Sequence, residues 1–181
     1  MPFQPLREES TRLGKTIYNV TLTQDLIFSD EKLNELSAVE ELLMIGYPIG
    51  IWDSTNNLPL IRRASTASHP ALNFCGKSEF VIDGACFPGS SGSPVLLANL
   101  GSYADNEGGF FLGSRFALLG VLYAGPHMNA EGNIIPKTIP THSVPVSETK
   151  VMIHLGYVIR ASEIVRLAMH AEEIFKSNGM L

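Results

Sequence analysis

The sequence predicts an all-β protein, a small six-stranded antiparallel barrel closed by a C-terminal α-helix. Three observations predict it. Apolar and polar residues alternate with a period of two along most of the chain, as strands with one buried face do. The apolar runs are short, and clusters of Gly, Pro, Asn and Ser separate them at loop-length spacing. Only the C-terminal stretch carries an apolar stripe at helical spacing. A βαβ pattern would alternate strands with longer helices, and this chain does not.

Taken in order, residues 16–23 (TIYNVTLT) set Tyr18, Val20 and Leu22 against Asn19, Thr21 and Thr23, which predicts a strand ahead of the barrel. Residues 29–38 (SDEKLNELSA) read as a short helix, with Ser29 as N-cap and acidic residues in the first turn. The six barrel strands are expected at 41–47, 58–67, 79–83, 94–98, 110–124 (interrupted at Gly113–Ser114) and 153–160. Between them lie turn signals at Pro48–Gly50, Asn56–Asn57, Cys75–Lys77, Pro88–Gly92 and Asp105–Gly109, and a Pro-containing loop at 126–150. The closing helix has Ser162 as its expected cap and Ile164, Leu167, Ala168, Ala171, Ile174 and Phe175 as its apolar stripe. Residues 1–38 are read as a connector or a remnant of a preceding unit, and residues 39–181 as the barrel with its helix.

Composition narrows the function. The 181 residues are 45% hydrophobic and 17% charged, as in a globular chain long enough for one core. A net charge of −5, and no basic run longer than Arg62–Arg63, argue against a nucleic-acid partner. No apolar run approaches the roughly 20 residues of a membrane span, so no membrane partner is expected. The start, MPFQPLREES, lacks the basic and apolar segments of a signal peptide, which points to the cytoplasm. Cys75 and Cys86 stand apart, without CxxC spacing, and read as buried thiols in a reducing compartment. Neither a metal nor a cofactor is expected.

Chemistry concentrates in residues 85–97, ACFPGSSGSPVLL. Nucleophilic catalysis needs a hydroxyl on a tight turn beside backbone N–H groups that converge on an oxyanion. Gly89-Ser90-Ser91-Gly92-Ser93-Pro94 supplies both, since its glycines allow the unusual backbone angles. Composition alone also fits an ordinary turn. The α/β-hydrolase elbow G-x-S-x-G is not matched, because Ser stands at position 93, and there is no phosphate-loop Gly-Lys-Ser/Thr.

The hexapeptide resembles the G-x-S-G-[GS]-P nucleophile motif of the trypsin-like serine peptidases, in their intracellular and bacterial branch. Other landmarks follow in the family's order. Gly46-Tyr47-Pro48-Ile49-Gly50 is similar to a family turn, and Ala64-Ser65-Thr66-Ala67-Ser68 to the small-residue strand after it. Asp83 precedes Ser91 by eight residues, Gly120–Gly125 is similar to the strand beside the substrate, and Leu155–Ile159 to the last strand. The likeness spans roughly residues 40 to 165. It implies a chymotrypsin-type carboxy-terminal barrel and a peptide or protein substrate. It also implies Ser91 as nucleophile and an oxyanion hole from the N–H groups of Gly89 and Ser91, with Ser90 and Ser93 shaping the turn. The primary pocket would involve Ala85, Tyr123, Ala124, Gly125 and Gly156. With Ala85 where basic-specific relatives keep an acid, the resemblance implies a small or apolar side chain there.

The departure concerns the base. These peptidases run His, Asp, Ser, with the first two on an amino-terminal barrel. Only 90 residues precede Ser91, and the first histidine is His69, in the loop after the second barrel strand. His127, His142, His154 and His170 all follow the nucleophile; the first three are candidates to line the cleft, and His170 reads as a surface residue. Asp25, Asp30, Asp53 and Asp105 read as turn or cap residues. Three arrangements remain open: a missing amino-terminal barrel supplies the base, the chain is a non-catalytic peptide-binding relative, or a histidine arrives across a homo-oligomer. In the first two, an apolar barrel face should be covered by residues 1–38 or by another chain.

Overall fold

The computed structural model describes residues 3–17, 19–133 and 146–177, with side chains for all of these except 128–133 and 146–152. In chain order its strands are β1 (Glu41–Gly46), β2 (Leu60–Thr66), β3 (Glu79–Asp83), β4 (Pro94–Asn99), β5 (Ser102–Ala104), β6 (Phe110–Leu112), β7 (Arg115–Ala124), β8 (His127–Asn133), β9 (Val146–Met152) and β10 (Leu155–Arg160). Helices α1 (Gln4–Arg12) and α2 (Asp30–Asn34) precede them, and α3 (Ala161–Ser177) follows. Six strands close into one antiparallel barrel in the order β1-β2-β3-β10-β7-β4. The two remaining pairs, β5–β6 and β8–β9, are hairpins outside it. The all-β barrel with a C-terminal helix is therefore the observed fold class.

Alternation builds the core. Leu42 and Met44 of β1, Phe80 and Ile82 of β3, Val95 and Leu97 of β4, Ala117 and Leu119 of β7, and Val158 of β10 form one buried cluster. Leu33 and Leu36 belong to the same cluster, so the segment around α2 plugs the barrel it precedes. Ser29 caps α2 as expected, its side chain accepting from the Lys32 N–H, but the helix stops at Asn34 instead of reaching residue 38.

Several expectations fail for physical reasons. Residues 16, 17 and 19–23 form no strand, and Val20 is 90% exposed. A strand needs a ladder partner, and a closed barrel offers no free edge. Helix α1 went unforeseen because it buries nothing; Pro5 in its first turn and its i, i+3 and i, i+4 side-chain pairs support it locally. The stretch expected as a 126–150 loop carries the paired strands β8 and β9, the second running on to Met152. Cys86 is buried, but Cys75 is exposed on a turn at φ 50°.

Helix α3 starts at Ala161, two residues before the Glu163 start that a Ser162 cap implies, and runs on directly from β10. Ala161 packs with Leu96 and Leu118, and beyond the first turn the stripe is uncovered: Leu167 is 68% and Phe175 46% exposed. An amphipathic pattern encodes a face that wants cover without encoding what covers it.

The barrel's own apolar face is likewise bare. Tyr47, Ile49, Ile51, Trp52, Leu58 and Ile61 are all exposed. Among the described residues, the N-terminal segment covers a different side, through Ile27 beside Leu118 and through Leu33 and Leu36.

Candidate functional site

The turn between β3 and β4 carries Ser91 and is held from three sides. From the first side comes the turn after β1, where the Ile49 N–H donates to the Pro88 carbonyl at 2.7 Å. Pro88 C=O and Gly89 N–H share one planar trans peptide, so fixing the carbonyl turns the N–H the opposite way. Ile49 itself sits at φ 55°, a left-handed conformation that a β-branched residue rarely adopts. Strain of this kind persists only where surrounding contacts over-determine it, and here the strained residue holds the candidate site.

Within the turn, the Ser93 N–H donates to the Ser90 carbonyl at 3.1 Å, which in the same way directs the Ser91 N–H outward. From the second side β7 binds the turn: Gly92 N–H donates to Leu122 C=O at 2.7 Å, and Leu122 N–H to Ser93 C=O at 3.0 Å. The result is a pair of backbone donors, Gly89 N–H and Ser91 N–H, that make no hydrogen bond among the described residues. They stand beside the Ser91 hydroxyl, which is exposed and donates to the Tyr123 carbonyl at 3.0 Å. Gly89 must be glycine: it lies at φ 84°, and a Cβ would press on the Tyr47 carbonyl oxygen at 3.0 Å and the Ile49 nitrogen at 3.1 Å.

The third side is β2. Arg62 sends its guanidinium to the Ala85 carbonyl and, at 2.9 Å, to the Oγ of Ser90, which is 1% exposed. Ser93 is buried as well, its Oγ filling the space a Cβ on Gly46 would need.

Ser91 lies on the shared wall of two clefts. One, of about 200 Å³, is lined by Cys86, Phe87, Pro88 and Ser90 and, across from them, by Leu122, Ala124, Gly125 and His127. The other, of about 380 Å³, runs over Ile45, Tyr47, Pro59 and Gly89. Three larger clefts, of about 570, 490 and 430 Å³, lie away from Ser91, around Leu43 and Arg63, around Tyr103 and Phe111, and along α1 at Gln4 and Thr11.

Of the expected pocket residues, Ala124 and Gly125 line the smaller cleft, while the other three are placed differently. Ala85 contributes its carbonyl to Arg62. Tyr123 presents its carbonyl to Ser91 and sends its hydroxyl to Glu79 Oε2 at 2.6 Å. Hydrogen bonding to that carboxylate, with burial and its negative charge, pushes the phenol up to about 12. Gly156 is buried behind the cleft, where a Cβ would run into Cys86 Sγ and Leu122. Burial raises the Cys86 thiol above its ordinary range, with Arg62 opposing, so Cys86 is a neutral wall.

The histidines separate clearly. His127 shares the smaller cleft with Ser91. His69 is engaged on both ring nitrogens, with the Leu36 carbonyl and the Ala71 N–H. His154 stands edge-on to Phe87 at a centroid distance of 5.9 Å. His170 lies exposed on α3, 3.8 Å from Glu173, and His142 lies outside the described residues. No imidazole among the described residues hydrogen-bonds to Ser91. Asp53 and Asp105 accept from the backbone N–H groups of their own turns. No group of three or more potential metal ligands occurs among the described residues.

Sequence reasoning missed Arg62 and Ile49. For Arg62 a signal was present: on β2 it shares a register with Leu60, Ala64 and Thr66, so a charge interrupts the inward face. Comparisons with family models, curated proteins and solved structures return no match to this chain.

Proposed function

We propose that this chain is the nucleophile-bearing barrel of a trypsin-like serine endopeptidase. It would cleave peptide bonds through an acyl-enzyme on Ser91, with the base and its orienting acid supplied by polypeptide other than the described residues. The observation that carries this reading is the pair of unbonded N–H groups, Gly89 and Ser91, beside an exposed hydroxyl. In the proposed step Ser91 Oγ attacks the substrate carbonyl carbon. Its proton passes to the incoming base, and the carbonyl oxygen gains negative charge against the two donors. The base then protonates the departing amine, and water releases the acyl group.

The two clefts flanking Ser91 suit an extended peptide laid across it, and the small, largely apolar cleft suits a small uncharged side chain. The bare face of Tyr47, Ile49, Trp52 and Leu58 adjoins the larger cleft, as an interface for a base-bearing partner should. A second reading, a peptide-binding relative without catalysis, is favoured by one observation: the Ser91 hydroxyl donates to a carbonyl and meets no imidazole among the described residues.

A fluorophosphonate probe separates the two. The chain alone is expected to stay unlabelled, and the chain extended by its upstream coding sequence to be labelled, with the label lost in Ser91→Ala. An extended chain that binds peptides but never labels would establish the binding module instead.

A further inference from the structure

We infer that Arg62 is a positioning residue for the oxyanion donors, its guanidinium clamping the two ends of the nucleophile turn in the binding-competent shape. The inference rests on the proposed reading of that turn as an oxyanion site. Arg62 occupies an inward register on β2, where a charge is costly unless it does something no apolar side chain can. Among the described residues it makes no salt bridge; its partners are the neutral carbonyl of Ala85 and hydroxyl of Ser90. These acceptors are five residues apart and bracket Gly89. A guanidinium carries parallel donors in a rigid plane and can hold both, whereas an ammonium is a single point. The clamp fixes the buried Ser90 side chain and, with the Ile49 bond to Pro88, leaves the Gly89 peptide little freedom to turn over.

A second consequence follows from the missing counter-ion. A positive charge with neutral partners adds to the field of the donors in front of it, and that field favours an anion at Ser91. A carboxylate is the stable group closest in charge to the oxyanion, and it is also what peptide cleavage leaves on the acyl side.

The test uses the chain as it is and needs no base. Acetyl-tetra-alanine is titrated as the free acid and as the C-terminal amide, followed on the backbone amide signals of Gly89 and Ser91. Wild type is expected to prefer the acid by about tenfold, the scale of one charge-assisted hydrogen bond. Arg62→Met should bring the preference to within about twofold, and Arg62→Lys, which keeps the charge but not the fork, to a value between that and wild type. Ser90→Ala, which removes one arm of the clamp, should fall between. If Arg62→Met does not fold, Arg62→Lys and Ser90→Ala carry the test, with thermal melts to confirm folding.

An Arg62→Met chain that keeps the wild-type preference overturns the inference, and so does an Arg62→Lys chain that keeps it, since charge alone would then suffice. Wild type that binds neither peptide, or both equally, overturns the oxyanion reading itself and the inference with it. A lower melting temperature with the preference intact would assign Arg62 to structure alone.

Discussion

Two arginines bracket β4, one bonded to its Asn99 end and one to the turn that leads into Pro94, and they are satisfied in opposite ways. At the Asn99 end, Arg115 reaches both carboxylate oxygens of Glu40 at 2.9 and 3.0 Å and Asn99 Oδ1 at 3.0 Å. It also lies 3.9 Å above the Tyr103 ring. Glu40 is 3% exposed and accepts further bonds from Ser37 N–H and Asn99 Nδ2, so the charge is cancelled and the network closed. At the Pro94 end, Arg62 has only neutral acceptors. The first arginine fastens the N-terminal segment to the barrel. The second holds a turn and keeps its charge available.

The contrast sets the order of effects. Removing Glu40 leaves a largely buried guanidinium without its anion, and Glu40→Ala should cost about 3–5 kcal/mol in chemical denaturation. A loss no larger than that of an exposed substitution would break the distinction between a fastened end and a charged one. At the other end the sensitive contact is steric. Gly46→Ala drives a Cβ into the Ser93 hydroxyl, and overpacking there should cost about 1–3 kcal/mol. Combining it with Ser93→Gly should lose less than the single variant, because the obstructing atom is gone. Equal losses in the two would place the strain elsewhere.

The smallest effect sharpens the comparison by pH. Tyr123 hydrogen-bonds to Glu79, and its phenol is raised to about 12 from its ordinary 10. A raised folded value means this bond supports the fold fully below pH 10 and is lost as pH climbs through about 12. An absorbance titration at alkaline pH should show one phenol ionising late, and Tyr123→Phe should remove that step. A Tyr123→Phe titration identical to wild type apart from a missing ordinary phenol would refute the bond.

Much of this molecule was legible in its residues. Short apolar runs bounded by turn residues, ELLMIG and PVLLAN, gave β1 and β4 within a residue or two, because a run of that length between breakers suits a strand buried on one face or, as in β4, on both. The Gly113–Ser114 break, at Gly113 φ 150°, was legible because a Gly-Ser pair interrupts the apolar stretch. What stayed hidden depends on partners distant in sequence. TIYNVTLT alternates as well as any strand, but pairing is a property of two segments, and its described residues find no partner among the described residues. At the site, the small residues of GSSGSP announced a turn with exposed donors, yet not that Ile49, bonded to Pro88, and Arg62, 28 residues before its partner Ser90, would set its orientation.

The ring closes late. Strand β10 sits between β3 and β7, and its partner Glu79–Asp83 lies more than seventy residues earlier in the chain. Until residue 160 is available, β3 and β7 each present a row of unsatisfied N–H and C=O groups beside apolar side chains. Closure of so long a loop makes this a slow-folding, high-contact-order topology. A nascent chain halted before Leu155 thus has two adhesive edges instead of none, and truncation there should yield aggregates, not a smaller barrel.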